Sequence, residues 1–147
     1  TLFPYTTLFR SEAKRWVLAG TDYVYPRTTN KILEAYLKSK GVKQEDIMIN
    51  YTPFGHSDWQ TIVADIKKFG SAGKKTAVVS TINGDANVPF YKELANQGIK
   101  ASDTPVVAFS VGEEELSGVD TKNLTAEQQR LSAALARIAH SSARLVT

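Results

Sequence analysis

The chain has 147 residues, a net charge of +3, 42% apolar residues and no cysteine. That length suits a single core and that apolar content a folded chain. The Lys and Arg residues are spread along the sequence rather than gathered into a nucleic-acid surface, no apolar run approaches the roughly 20 residues of a membrane helix, and the absence of thiols excludes disulfides and thiolate chemistry.

Residues 1–11 stand apart. Leu2, Phe3, Leu8 and Phe9 keep no period, and Pro4 interrupts them. The string TLFPYTTLFRS resembles a translated sequencing adapter and is read as a non-native leader outside the fold. A genuine edge strand is the alternative. The start has no Met, no basic stretch and no long apolar run of the kind that opens a secretory signal.

From residue 12 the chain alternates. Trp16, Val17, Leu18 and Ala19 form a continuous apolar run, the mark of a buried strand. Residues 27–40 form a predicted helix, with Ile32, Leu33, Tyr36 and Leu37 at helical spacing and Gly41 as its stop. Pro26 suits the first helical position. Residues 46–52 read as a strand in which Ile47, Ile49 and Tyr51 alternate. Ser57 and Gln60 have capping-box spacing, and Ile62, Val63, Ile66 and Phe69 give the next helix its apolar stripe. Residues 76–81 form a second continuous apolar strand, residues 87–97 a helix stopped at Gly98, and residues 106–109 a further strand. The order β-α-β-α-β-α-β predicts an α/β fold: a three-layer αβα sandwich on a mainly parallel sheet. Glu113 to Leu116 suggests a short helix. Thr125 and Gln128 suggest another cap, followed by an amphipathic helix with Leu131, Leu135 and Ile138. Composition turns helix-only there, so the chain divides into residues 1–11, 12–124 and 125–147.

Ligands of open α/β sheets sit at the carboxyl ends of strands. Three loops qualify. Tyr23 and Tyr25 follow the first strand; two apart in extended backbone, they point to one side. They either contact a polar ligand through their hydroxyls or pack on the sheet edge. Asp22 caps the turn. Asn83, Gly84 and Asp85 follow the third strand. Gly84 permits close backbone approach, and Asp85 either accepts from an amide or amine or caps the next helix. Ser110 follows the fourth strand. The acidic run Glu113, Glu114 and Glu115 has no histidine beside it, so favourable charge at a helix start is its default role. His56 and His140 hold no metal-ligand spacing, and no phosphate-binding glycine pattern occurs, so no metal or other cofactor is expected. His56, Ser57 and Asp58 are adjacent residues and cannot align as a triad; His56 and Asp58 order their loop instead.

The strings GTDYVYPRTTNKILEAYL, YTPFGHSDWQTIVADIK, VVSTINGDANVPFYKEL and PVVAFSVGEEELSGVD, in this order, resemble the urea and short-chain-amide substrate-binding proteins of ABC transporters. The resemblance covers about residues 13–124 and matches that family's second lobe. It implies a type I periplasmic-binding-protein fold, in which two α/β lobes close on a ligand without catalysis. It implies a cleft lined by Tyr23 and Tyr25, by Gly84 and Asp85, and by the loop from Ser110 to Glu114. It also implies a small polar ligand, a permease partner and a periplasmic parent protein. A first lobe would precede residue 13, and residues 125–147 do not match the family's continuation, so a truncated or chimeric gene model is expected. An amide-sensing regulator of the same fold is the alternative; an α/β-hydrolase-like enzyme is a third.

Overall fold

The computed structural model describes residues 12–111. Its two most apolar runs become its two central strands. β1 (Arg15–Thr21) is buried along all but its first residue, and β3 (Thr76–Thr81) along its whole length. Strands this uniformly apolar must be covered on both faces. β2 (Ile47–Thr52) flanks β1 and β4 (Val106–Ala108) flanks β3, and every pairing is parallel, in the order β2-β1-β3-β4. The shorter β4 and the start of β2 depart from the sequence reading. Asp46 lies in a 3-10 turn (Gln44–Asp46) rather than in the strand.

The chain steps from β1 to β2 in one direction, then passes over β1 and continues the other way through β3 to β4. Crossovers of one hand therefore put the first helix alone on its face. That helix, α1 (Val24–Ser39), packs Leu33 and Leu37 against Trp16, Leu18, Ile47, Ala77 and Val79. On the opposite face, α2 (Gln60–Gly70) and α3 (Asn87–Asn96) bring Val63, Ile66, Phe90 and Leu94 onto Val17, Ala19 and Val78. The result is the expected three-layer α/β sandwich. Lys67 donates to the Gln97 carbonyl at 2.7 Å and the Gln97 amide donates to the Gln60 carbonyl at 2.9 Å, which ties α2 to α3.

The helix stripes differ in detail from the sequence reading. On α1 the buried positions are Pro26, Asn30, Leu33 and Leu37, while Ile32 (65% exposed) and Tyr36 (40%) face outward. At about 100° per residue, one face cannot hold both pairs with the first turn pressed to the sheet. What presses it there is Gly20. A Cβ at this position would overlap Thr81 Oγ1 and would stand 3.0 Å from Pro26 Cβ and 3.1 Å from Asn30 Nδ2. α1 thus closes on the sheet where β1 has no side chain. The buried Thr81 hydroxyl shares its one proton between the Ala19 carbonyl (3.3 Å) and Asn30 Oδ1 (3.1 Å), bonding the helix to both central strands.

The amino ends of the strands are pinned by charge. Asp46 accepts from Arg15 Nε at 3.1 Å and from Lys74 Nζ at 2.7 and 2.9 Å, and the Arg15 guanidinium lies 3.8 Å above the Phe69 ring. The Lys74 hydrogen bond chiefly holds the Asp46 carboxyl below its ordinary 3.8; partial burial opposes it and Arg15 assists. Among the described residues no helix is long and apolar enough to cross a membrane.

Candidate functional site

Because all four strands run parallel, the loops after them share one rim. The strand order reverses between β1 and β3, and at such a reversal the loops diverge and leave a crevice. The candidate residues Tyr23, Tyr25, Gly84, Asp85 and Ser110 all lie on this rim. Glu114 lies outside the described residues.

The rim is hydrogen-bonded from loop to loop. The Asn83 backbone N–H donates to Thr21 Oγ1 at 2.8 Å, joining the ends of β3 and β1 across the reversal. The Asp22 N–H donates to the Thr52 carbonyl at 2.7 Å, joining β1 to β2. Tyr25 reaches the end of β4: Ser110 Oγ donates to its hydroxyl at 3.2 Å, and that hydroxyl donates to the Phe109 carbonyl at 3.4 Å. The buried Asn87 amide donates to the carbonyls of Ile82 (3.0 Å), Gly84 (3.2 Å) and Ser110 (3.4 Å), so the β3 and β4 loops share one anchor.

The two tyrosines part company. The sequence reading placed them on one side of an extended backbone, but α1 begins at Val24. Tyr23 remains extended (φ −149°, ψ 165°), whereas Tyr25 already occupies the first helical turn. Their period therefore changes from two to 3.6 between them. Tyr23 turns toward β2, where its ring meets Phe54 edge-on with centroids 5.2 Å apart; Tyr25 turns toward β4. Pro26 consequently occupies the third helical position, not the first. This is tolerated because the first-turn N–H groups lack helical partners in any case.

Three further assignments change. Asp22 does not cap α1; it pairs with Arg27, whose hydrogen bond holds the Asp22 carboxyl below its ordinary value. Arg27 also lies 4.8 Å from the centre of the Tyr51 ring. Ser57 forms no capping box, because α2 starts at Gln60; Asp58 Oδ1 instead accepts the Gln60 N–H at 3.3 Å. Asp85 makes no side-chain cap on α3. It is exposed within the 3-10 turn Gly84–Ala86, where Gly84 adopts a φ of +65° that a side chain would strain. His56 packs edge-on against Trp59 at 5.0 Å, and the Trp59 indole N–H donates to the His56 carbonyl at 3.0 Å.

Thr21, Phe54 and Asn87 were missed as rim residues. Thr21 and Asn87 end an apolar strand and open a helix, positions where a buried polar side chain has a backbone to tie. Phe54 precedes Gly55, whose φ of +69° makes the turn that presents the ring.

The model of the periplasmic binding protein domain matches residues 2–133. The chain belongs to that family. Two solved structures share the fold of this periplasmic binding protein domain. One is a branched-chain amino acid ABC transporter periplasmic ligand-binding protein from Burkholderia xenovorans LB400, with TM-score 0.65 and 19% identity over 82% of this chain and 30% of that one. The other is an amino acid ABC transporter substrate-binding protein from Pseudomonas fluorescens Pf-5, with TM-score 0.65 and 16% identity over 82% of this chain and 31% of that one. The chain thus spans under a third of the length of either structure. At these identities the likeness is one of fold.

Proposed function

We propose that this periplasmic binding protein domain forms one wall of the ligand cleft in a noncatalytic, extracytoplasmic solute-binding protein serving an ABC transporter. Its ligand is urea or a short-chain amide. The observation that carries the reading is the polar rim at the strand reversal, where Ser110 bonds Tyr25, Thr21 holds Asn83, and Asp85 stands exposed on the Asn83 loop. Such ligands are small, planar and rich in N–H donors, with a carbonyl acceptor. The Asp85 carboxylate and the tyrosine hydroxyls accept from the donors, while backbone N–H groups of the rim supply the complementary hydrogen. Arg27 neutralises Asp22, which leaves Asp85 as the exposed carboxylate beside Gly84. Glu114 is assigned to the same wall.

The chemistry is capture, not turnover. Asp58 and His56 are engaged in shaping the loop between β2 and α2, and the Ser110 and Tyr25 hydroxyls are bonded to each other. A second reading, an amino-acid ligand, is favoured by the names of the two structural relatives.

The test is an NMR titration of the isotopically labelled chain, read at its backbone amide signals, with urea, acetamide and leucine. Even an enclosed small ligand gains at most about 1.5 kcal/mol per heavy atom. A single wall is therefore expected to hold urea or acetamide with a Kd of about 1 mM or weaker. Amide signals of residues 21–25, 83–85 and 110 should shift saturably. Saturable leucine binding with silent amides would transfer the assignment to amino acids.

A further inference from the structure

Beneath the loop of residues 53–59, three buried polar atoms have no hydrogen-bond partner among the described residues: Asn50 Oδ1, Thr52 Oγ1 and His56 Nε2. The sheet register sets the first two on one face. Asn50 pairs with Ala19 and Thr52 with Thr21. Two apart on β2, their side chains share one face. Ala19 and Trp59 belong to the core cluster on that face. The Trp59 ring meets the His56 imidazole at 5.0 Å, and its N–H holds the His56 carbonyl. Asn50 and Thr52 thus lie on the sheet face whose core includes Trp59, and His56 lies against Trp59 itself. Thr52 is only 3% exposed, so bulk solvent does not meet its hydroxyl.

We infer that Asn50, Thr52 and His56 share one internal water, which fastens the loop of residues 53–59 to β2. The donor and acceptor inventory balances. Water has two protons to give: one goes to Asn50 Oδ1, which can only accept, and one to His56 Nε2 in the tautomer protonated at Nδ1. The Thr52 hydroxyl donates to the water oxygen. Buried waters are commonly held by about three such partners. An anion finds too few donors here. The loop needs the link: Pro53 has no N–H, and the loop's internal backbone bond is the long one from His56 N to the Pro53 carbonyl, 3.4 Å. The same loop carries Phe54 onto Tyr23, so the water sets the aromatic side of the rim, whichever ligand the rim takes.

Thr52→Val tests this by sign. Valine keeps the shape and removes the hydroxyl. A hydrated site loses a hydrogen bond, and the folding equilibrium constant of the chain should fall roughly 3- to 10-fold. At a dry site the substitution removes an unmet polar atom, and stability stays equal or rises. The second measurement is a high-resolution crystal structure of the chain, with the His56 tautomer read by nitrogen NMR. The expected result is a water within hydrogen-bond reach of Thr52 Oγ1 and of Asn50 or His56, with the imidazole protonated at Nδ1. A stable Thr52→Val variant overturns the inference. So does a destabilised variant whose parent structure shows no water between these side chains.

Discussion

Replacing Gly20 by alanine probes the closest approach in the fold. The added Cβ would overlap Thr81 Oγ1, with Pro26 Cβ at 3.0 Å and Asn30 Nδ2 at 3.1 Å leaving no side to retreat to. Thr81 is buried in a central strand and Pro26 in the first turn of α1, so neither yields as a surface side chain would. Overpacking of this kind costs about 1–3 kcal/mol. Displacing Thr81 also weakens its bonds to the Ala19 carbonyl and Asn30, adding about 1 kcal/mol. The expected loss is thus about 2–4 kcal/mol, which in a domain of this size lowers Tm by on the order of 10–20 °C. Thermal and urea unfolding followed by circular dichroism measure it. Thr81→Ala in the same background removes the overlapped atom, so the double variant should be more stable than the two single losses added together, by about 1 kcal/mol or more. A Gly20→Ala protein within about 0.5 kcal/mol of the parent, or strictly additive losses, would show that α1 does not depend on this contact.

Tyr25→Phe and Asp85→Ala should each weaken amide binding by about 1–3 kcal/mol, since each removes a hydrogen-bonding group from the proposed wall; unchanged affinity in both, read by the same NMR titration, would place the ligand elsewhere. For Asp46 the pH dependence follows from its depressed carboxyl. The ion pairs with Lys74 and Arg15 are fully stabilising above the unfolded carboxylate range. They are lost as pH falls from about 5 through that range and below it. Urea midpoints should fall across this window in the parent. In Asp46→Asn they should start lower at neutral pH and decline less, and parallel curves would refute the assignment.

The layer architecture was legible because two strands, Trp16 to Ala19 and Thr76 to Thr81, carry no charge and centre on continuous apolar runs, and so demand cover on both faces. The helices were legible as elements, but their orientation was not. Ile32 and Tyr36 fit a helical period as well as Leu33 and Leu37, and only the contact of Gly20 with Pro26 and Asn30 decides which pair faces the sheet. The rim loops were locatable from strand ends alone. Their internal contacts were not, because a helix start three residues earlier than expected redirects Tyr25 from its neighbour Tyr23 toward Ser110. The capping role fell to Asp58 rather than Ser57 for a similar reason: a cap is fixed by where the first helical turn closes, and motif spacing does not fix that point. Asn30 and Asn87 went unnoticed because a polar residue on a helix reads as solvent-facing until its tertiary partner is known.

The loop-to-loop bonding of the rim has an entropic consequence. Thr21 holds Asn83, Asn87 holds the Ile82, Gly84 and Ser110 carbonyls, Tyr25 meets Ser110, and Tyr23 leans on Phe54. Tyr23, Tyr25 and Ser110 are therefore already restricted in rotamer before any ligand arrives. Freezing a mobile side chain at the moment of binding costs about 0.5–1.5 kcal/mol, a penalty comparable to the gain from one good hydrogen bond. For a ligand of only a few heavy atoms, several such penalties would cancel the whole attraction. For Tyr23, Tyr25 and Ser110 that ordering is completed during folding, so the small ligand proposed above would meet a surface that is already partly set.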